Sequence, residues 1–174
     1  MTQAPALGLE SGVVRVVPYD TRWPVLFIEE RQRLVECFDR ARLTVALEHI
    51  GSTSIPGLAA KPILDILAGY PADAAVADYI HVLVNAGYTH RGEQGIPGRE
   101  FFRIGVLRSH HLHMAVEGGA IWRDQLLFRD RLRANDRLRD EYAALKAELA
   151  RRHPRDREAY IEGKGEFVRG VIAG

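Results

Sequence analysis

The sequence predicts an α+β fold in which strands and helices are mixed at first and a helical C-terminal portion follows over residues 120–174. Two observations predict this class. Short apolar runs bounded by turn residues occur up to Glu117, and after Gly118-Gly119 only helical spacing of apolar residues remains. A length of 174 residues is enough to bury a sizeable core, so we expect residues 1–174 to form a single domain.

The composition excludes several classes of protein. Apolar residues make up 47% and charged residues 27% of the chain, which argues against disorder, and the net charge of +1 gives no global attraction to nucleic acid or to a membrane. Cys37 is the single cysteine, so no internal disulfide can form. Proteins without disulfides are typical of reducing compartments, so we expect a cytoplasmic protein. No apolar run reaches transmembrane length.

The first half of the chain is predicted to alternate between helices and strands after a loose tail over residues 1–11. Asp20 is a plausible helix cap, and Pro24 suits the first turn of the helix that follows. Gly87 is typical of the residue that follows the C-terminal end of a helix, and it predicts the end of a second helix. The expected elements are a strand or an extended lead-in at 13–17, a helix to residue 42, strands at 44–50 and 62–68, and a helix at 72–85.

The second half begins with a strand near Tyr88 and a loop over residues 91–100, which holds three glycines and one proline. Such a loop is expected to be mobile and is a common place for binding residues. The runs at 101–107 and 111–117 predict a hairpin. Helical stripes then predict helices at 122–133, 136–152 and 156–172, with Pro154 breaking the chain between the last two.

The most informative stretch is HIGSTSIPGLAAKPILDIL, which runs from His49 to Leu67. The turn Gly51-Ser52-Thr53-Ser54 offers backbone N–H groups to an anion, and Lys61 follows it. Asp65 lies inside an apolar strand, where a charge is costly unless it binds something. These features suggest a phosphate-binding turn facing a metal-binding acid. The alternative is a tight turn followed by an Asp at a strand end.

Two histidines provide a second candidate cluster. His111 and His113 are two residues apart in a predicted strand, so their side chains share one face, with Glu117 further along that face. Together with Asp65 they could hold a divalent metal. Alternatively, they are polar residues at a sheet edge.

Basic residues near these motifs are candidates for binding an anion. Arg99 and Arg103 share a strand face with Phe101 beside the glycine-rich loop, a pattern that suits clamping of phosphate or carboxylate. Alternatively, they are solvated charges whose stems pack on Phe101. Arg129 lies one helical turn before Arg133, and such pairs are more often surface charge than ligand contacts.

Lys164 stands between Gly163 and Gly165 inside a helical pattern. Interior glycines each cost a helix about 1 kcal/mol relative to alanine, so something could require close approach of the backbone there while Lys164 reaches a shared pocket. Fraying near the C-terminus is the alternative. Tyr160 and Phe167, on the same predicted helix, are interpreted as core residues.

The motifs together resemble those of the GrpB family (UPF0157) of the nucleotidyltransferase-like superfamily. The resemblance rests on HIGSTSIPGLAAKPILDI, VVPYDTRW, FFR, HHLH and LLFRDRLR, and on Tyr160, Lys164 and Phe167 near the end, in that family's order along nearly the whole chain. It implies a polymerase-β-like mixed sheet with flanking helices and a helical C-terminal segment.

The superfamily pattern implied by this resemblance is a Gly-Ser turn, then Asp-x-Asp/Glu on a strand, then a third acid on a neighbouring strand, with two magnesium ions. Gly51-Ser52 match the turn and Asp65 matches the first acid. Leu67 stands at the second-acid position and cannot bind a metal. The strand expected to carry the third acid offers His111, His113 and Glu117.

The expected function is therefore that of a nucleotidyltransferase-like enzyme acting on a nucleotide or another phosphorylated small molecule, with a divalent metal (magnesium or manganese, or else zinc) around Asp65. Lys61 and His113 are expected to assist Asp65 in catalysis. The residues expected to bind substrate phosphate are Gly51, Ser52, Thr53, Ser54, Arg99, Arg103, Arg129 and Lys164. No nucleic acid or membrane partner is evident.

Two alternatives stay open at this point. The fold could be repurposed for a metal-dependent reaction on a small molecule through Asp65, His111 and His113. It could also be a non-catalytic module that binds a nucleotide or another anion, since Leu67 removes one metal ligand.

Overall fold

The computed structural model describes residues 6–174 of the chain and contains five helices and five strands over that range. A short 3₁₀ helix follows the first strand. The elements are α1 (Trp23–Arg40), β1 (Ala46–Ile50), the 3₁₀ helix (Ser52–Ser54), β2 (Leu64–Tyr70), α2 (Val76–Asn85), β3 (Thr89–His90), β4 (Glu100–Ile104), β5 (His110–Val116), α3 (Ala120–Ala134), α4 (Asp136–Arg152) and α5 (Arg157–Ala173).

The strands form one mixed sheet in the order β1-β2-β5-β4-β3. Strands β2 and β5 run parallel at its centre, and the other neighbours are antiparallel. The register of the central pair sets Asp65 opposite His111 and Leu67 opposite His113. Because side chains alternate between faces along a strand, these four side chains share one face of the sheet.

Each face of the sheet is covered by different helices. Helices α1 and α2 pack on one face through the main apolar core, which includes Leu34, Phe38, Leu83, Phe102 and Leu112. The opposite face carries Asp65, His111 and His113. Helices α3, α4 and α5 contact one another and enclose a second core around Ile55, Leu58, Phe128 and Tyr142. The helical C-terminal portion therefore stands over the polar face of the sheet.

Local sequence signals explain several element boundaries. A proline occupies the first turn of α1, where its missing N–H costs no hydrogen bond. Helix α4 is capped by Asn135, whose side chain accepts a hydrogen bond from Leu138 N at 3.0 Å, and α5 by Asp156, which accepts from Ala159 N at 3.0 Å. The α+β class, the mixed sheet and the helical C-terminal portion are confirmed.

Two local predictions are wrong for the described residues, and one pair of alternatives is decided. Residues 13–17, expected as a strand or an extended lead-in, do not form a strand, because Val17 makes only an isolated bridge with Ala60. Asp20 does not cap α1, since the N-cap is Arg22. The loose tail expected over residues 1–11 does not extend to Leu9, and residues 1–5 lie outside the described residues. Leu9 is 3% exposed and bridges Arg108, so apolar burial fixes this segment.

A helix that spans a membrane must be both long and predominantly apolar, and this criterion can be applied to the five helices. Across residues 6–174, none of them combines enough length with enough apolar character to cross a bilayer.

Candidate functional site

A cavity of about 490 Å³ lies between the polar face of the sheet and the C-terminal helices. Its floor comes from the turn after β1, from β2 and from β5. The loop before β4 closes one side, and residues of α3, α4 and α5 form the opposite wall. Among the predicted site residues, the cavity brings together Gly51, Ser52, Thr53, Lys61, Asp65, Arg99, His111, His113 and Lys164.

The turn at 51–54 depends on glycine at its first position. Gly51 has φ +68°, and a Cβ placed there would lie 2.5 Å from Asp65 Oδ2. The turn therefore approaches the carboxylate more closely than a larger residue would allow. Ser54 Oγ donates to Gly51 O at 2.6 Å and stabilises the turn itself, which leaves Ser52 and Thr53 to line the cavity.

His49 supports the turn from beneath. Its ring stacks on Phe27 with 4.6 Å between centroids, and its Nε2 forms a 3.0 Å hydrogen bond with Thr53 Oγ1. Burial lowers the pKa of His49 to about 4. The imidazole is therefore neutral at pH 7.

Asp65 lies between two imidazoles. His111 Nδ1 and His113 Nε2 are each 3.4 Å from the same oxygen, Asp65 Oδ1. Burial favours the protonated acid, but hydrogen bonding to His111 and His113 outweighs burial, so the pKa of Asp65 falls below its usual range. Burial lowers the pKa of His111. The group at the centre of the cavity floor is thus an ionised carboxylate, 28% exposed as a side chain.

The donor set does not fit a two-metal centre. Leu67, at the second-acid position, is 0% exposed and packs with Ile50 and Trp122. Glu117 was expected to help hold a metal, but it is exposed beyond the end of β5 and is not part of the cavity wall. Within residues 6–174, no group of three or more His, Cys, Asp or Glu side chains is arranged to hold a metal ion.

Arg129 was expected to bind substrate phosphate, and its position does not support that role. Its guanidinium donates to Glu48 at 2.6 Å, to Asp130 at 2.7 Å and to His49 O at 3.1 Å. The side chain ties α3 to β1 and does not line the cavity. Glu48 lies on β1, two residues before Ile50, and its ion pair with Arg129 holds the guanidinium outside the cavity wall.

Arg99 and Arg103 have different surroundings although they share a strand face. Arg99 lines the cavity, donates to the carbonyls of Glu93 and Gln94, and lies 3.4 Å from His113 Nδ1. The 91–98 loop is therefore held against the cavity by one guanidinium. Arg103 lies opposite His111 in the pairing of β4 with β5. It is not part of the cavity wall, so its expected phosphate contact is not supported.

Two lysines approach one aromatic ring. The Nζ atoms of Lys61 and Lys164 lie 5.0 Å and 4.6 Å from the centroid of the Tyr160 ring. Burial, and for Lys61 also repulsion from Lys164, lowers the pKa of each lysine to about 8. Both ammonium groups are therefore cations in a site that disfavours their charge.

The helical wall contains residues that sequence reasoning missed. Tyr160 was interpreted as a core residue from its helical spacing, and it also lines the cavity together with Tyr142 of α4. Arg157 begins α5 and lines the cavity, and its buried Nε has no hydrogen-bond partner among residues 6–174. Asp124 and Gln125 of α3 complete the wall. No local motif distinguishes these polar residues from other surface positions.

The sequence of this chain is similar to a family of known proteins over most of its length. The family model described as GrpB protein matches residues 13–173. The chain is 42% identical over 157 residues to the UPF0157 protein YqkA of Bacillus subtilis, covering 90% of this chain and 45% of that one. It is 33% identical to the glutamate-rich protein GrpB of Alkalihalophilus pseudofirmus, covering 95% and 98%. The chain thus spans under half the length of YqkA and nearly all of the second relative.

Solved structures give the same result for the fold. The crystal structure of the conserved protein GrpB from Enterococcus faecalis superimposes with a TM-score of 0.81 at 34% identity, covering 91% of this chain and 95% of that one. The Cid1 poly(U) polymerase in its MgGTP-bound form superimposes with a TM-score of 0.53 at 17% identity, covering 79% and 45%. The second likeness concerns the fold alone. The chain therefore belongs to the GrpB family and has a nucleotidyltransferase-like fold.

Proposed function

We propose that this protein is a nucleotidyltransferase-like enzyme that acts on a nucleotide or another phosphorylated small molecule in the cavity around Asp65. The charge of the cavity wall is the observation that carries the proposal. Four cationic side chains line it against two carboxylates, Asp65 and Asp124; the cations are Lys61, Arg99, Arg157 and Lys164. An enclosed excess of positive charge favours a polyanionic ligand, and phosphate esters are the common metabolites of that kind.

The proposed roles follow from position. The backbone and hydroxyl groups of Ser52 and Thr53 bind a phosphate at the turn, where N–H groups and the absence of a Cβ at Gly51 allow close approach. Lys61 and Lys164 neutralise the phosphate charge that the cavity would otherwise exclude. His111 and His113 keep Asp65 ionised and oriented toward the bound phosphate.

A single divalent ion suits this arrangement better than a pair. Magnesium is commonly held by one or two carboxylates together with substrate phosphates, so Asp65 supplies the protein ligand and the substrate supplies others. When bound, such an ion withdraws charge from the phosphate oxygens. The chain's own contribution is the ionised Asp65, its two histidine neighbours and the cations of the wall.

One observation favours a second function, a non-catalytic module that binds a nucleotide or anion. Leu67 is fully buried where the superfamily pattern has its second acid, so half of the usual metal site is replaced by apolar packing. Such a module would keep the turn and the lysines and would not turn over its ligand. The repurposed site on Asp65, His111 and His113 is not favoured, because no group of three or more His, Cys, Asp or Glu side chains within residues 6–174 is arranged to hold a metal ion.

The test combines ligand binding with turnover. The purified protein is screened by thermal shift against ATP, GTP, CTP, UTP and CoA precursors, each alone and with magnesium, manganese or zinc, because a ligand of the folded state raises the Tm. Bound nucleotides are then incubated with candidate acceptors and analysed for released pyrophosphate or a transferred group. A nucleotide shift that needs the ion, followed by turnover, supports the enzyme. Binding without turnover supports the module.

Asp65→Asn separates a role in the reaction from a role in folding. We expect turnover to fall by about 100-fold or more, the loss typical when a charged group at a reaction centre is removed, with an unchanged circular dichroism spectrum. Asp124→Asn is the matched control, because it removes the other carboxylate of the wall and is expected to change turnover much less. If Asp65→Asn only lowers the Tm while retaining turnover, Asp65 is structural.

A further inference from the structure

The guanidinium of Arg99 contacts two different parts of the cavity. Its Nε and Nη2 donate to the carbonyl oxygen of Glu93 at 3.3 Å and 3.0 Å, and Nη2 also donates to Gln94 O at 3.1 Å. Its Nη1 lies 3.4 Å from Nδ1 of His113 on β5. One planar group therefore joins the 91–98 loop to the centre of the sheet.

The contact with Arg99 determines which nitrogen of His113 carries the proton. A guanidinium has donors and no acceptor, so Nδ1 of His113 accepts, and in the neutral ring the proton then lies on Nε2. Nε2 is 3.4 Å from Asp65 Oδ1, which is an acceptor for that proton. The hydrogen bonds thus run in one direction, from Arg99 through His113 to the carboxylate of Asp65.

The neighbouring histidine and arginine are arranged differently. His111 approaches Asp65 Oδ1 through its Nδ1, whereas His113 approaches the same atom through its Nε2. Arg103 lies opposite His111 in the pairing of β4 with β5 and is not part of the cavity wall. The two imidazoles therefore present different ring nitrogens to one carboxylate, and the second nitrogen of His113 faces Arg99.

The other contacts of Arg99 hold residues of the cavity wall in place. Gln94 and Ile96 line the cavity, and Gln94 has φ +48°, a left-handed conformation that is unfavourable for residues other than glycine. Ile96 N donates to Glu93 O at 3.2 Å, and Gly98 N donates to Glu93 Oε1 at 2.6 Å. Since Glu93 O also accepts from Arg99, loss of the guanidinium would free the backbone that keeps this part of the wall in shape.

We propose that Arg99 is a positioning residue that couples the 91–98 loop to Asp65 through His113. The guanidinium holds the imidazole with its Nε2–H directed at the carboxylate, and it also holds the loop that closes one side of the cavity. Because a coupling between two sites is reciprocal, a change at either end is transmitted to the other. The coupling rests on the proposed function only for the role of Asp65 toward the ligand.

Nitrogen NMR of the histidine rings tests the contact with His113 in the ligand-free protein. In the wild type we expect the ring of His113 to carry its proton on Nε2. Arg99→Met removes the donor to Nδ1, so the Nδ1 resonance of His113 should shift, while the ring resonances of His111 change much less. A proton on Nδ1 of His113 in the wild type would overturn the proposal, as would an unchanged Nδ1 resonance in the variant.

Amide hydrogen exchange at Ile96 and Gly98 tests the contact with the loop. Both amides should exchange at least about tenfold faster in Arg99→Met, the effect of losing one hydrogen bond from a charged donor. Arg103→Met is the matched control, because it removes the same charge from β4 outside the cavity wall and should leave both amides unchanged. Equal exchange in the wild type and in Arg99→Met would overturn the proposal.

Arg99→Lys separates the charge of the side chain from its geometry. The ammonium group keeps the positive charge, but as a single point charge it cannot serve the loop carbonyls and the imidazole at once. We expect Arg99→Lys to lose the nitrogen signature of His113, the slow exchange of the loop, or both. A lysine variant that keeps both would show that charge alone is sufficient and would contradict the coupling.

A second pair of variants starts from the other end and does not depend on the folding of Arg99→Met. His113→Phe keeps an aromatic ring and removes both nitrogens, and His111→Phe makes the same change two residues away on the same strand. We expect exchange at Ile96 and Gly98 to rise by about threefold or more in His113→Phe and to stay at the wild-type rate in His111→Phe. Equal exchange in the two variants would overturn the coupling. These measurements need no ligand, so a protein that passes them without turnover fails only the proposed function.

Discussion

The two sides of the cavity differ in how their polar groups are satisfied. On the strand side, Asp65 lies between His111 and His113, and Ser54 and Thr53 bond within the turn and to the strand before it. On the helical side, Arg157 and Lys164 form no ion pair with a carboxylate among residues 6–174, and Lys61 approaches the same Tyr160 ring from the segment before β2. The named side chains of the strand side are thus bonded within the protein, whereas the cations of the helical side are not paired.

This difference indicates which residues determine the stability of the fold and which determine ligand affinity. Changes on the strand side act on the fold and on the site together, because the same residues form the sheet and the cavity floor. Changes on the helical side are expected to act on ligand affinity first, since Arg157 and Lys164 contribute charge more than packing. The predictions below test this division.

Leu67→Asp is expected to have the largest effect. It places a carboxylate in the superfamily's second-acid position, but Leu67 is 0% exposed and packs against Ile50 and Trp122. An unpartnered charge there should destabilise the fold by about 4 kcal/mol in urea unfolding. Leu67→Met, a volume-conserving control, should cost less than about 1.5 kcal/mol. A stable Leu67→Asp protein that binds metal would show that this position is open.

Gly51→Ala is expected to reduce stability by about 2–3 kcal/mol and to abolish anion binding, because the new methyl group adds a clash with Asp65 to the strain of a positive φ. Gly57→Ala is the control. Gly57 also has a positive φ, +78°, but a Cβ there meets nothing closer than 4.0 Å. Its cost in thermal unfolding should be smaller, with anion binding retained. Equal effects on binding would mean that contact with Asp65 does not matter.

The stability of the ligand-free protein is expected to rise from pH 7 to pH 9. The folded pKa values of Lys61 and Lys164 are about 8 and that of Lys146 about 7, while an unfolded lysine titrates near 10.4. The unfolded chain therefore binds more protons in this range, and the free energy of unfolding increases with pH by roughly 1 kcal/mol or more.

Urea unfolding at several pH values measures this dependence. Lys146→Met removes one of the three lysines and should flatten the curve, because Lys146 is 1% exposed and its charge is disfavoured by burial. A stability that falls steadily between pH 7 and pH 9 would contradict the lowered lysine pKa values.

The two glycines beside Lys164 are expected to give the smallest and most contrasting effects. A Cβ at Gly163 would lie 2.5 Å from Leu149 on α4, and one at Gly165 would meet only the end of Arg169, at 3.1 Å. Gly163→Ala should therefore destabilise by about 1 kcal/mol, while Gly165→Ala should be neutral or stabilise by up to about 1 kcal/mol through helix propensity. The same sign for both in thermal unfolding would show that packing between α4 and α5 does not require Gly163.

The strand side of the site could be predicted because short-range rules determine it. Alternation along β5 places His111 and His113 on one face, and the turn after β1 must precede Asp65. Alternation does not fix how far along the strand the cavity extends, which is why it could not show that Glu117 lies outside the cavity wall. The burial of Leu9 was missed because tertiary contacts with Arg108, distant in sequence, decide it.

The helical side could not be predicted from local patterns. A helical stripe of apolar and aromatic residues indicates burial without indicating what is buried beside it, so Tyr160 was assigned to the core alone. Arg157 stands in a run of charged residues and has no distinguishing neighbour. The ion pair of Arg129 could not be foreseen, because its partner Glu48 lies on β1, far away in the chain.

The packing of Trp122 beside the cavity has an optical consequence. The chain has two tryptophans, and Trp23 is fully buried beside Tyr19, far along the sequence from the helical wall. Trp122 lies in the first turn of α3, the helix that contributes Asp124 and Gln125 to the cavity, and packs against Ile50 of the cavity wall. In a Trp23→Phe protein, all indole fluorescence comes from this one position, so a change in emission on addition of a ligand reports a change at the wall beside the cavity without an attached dye.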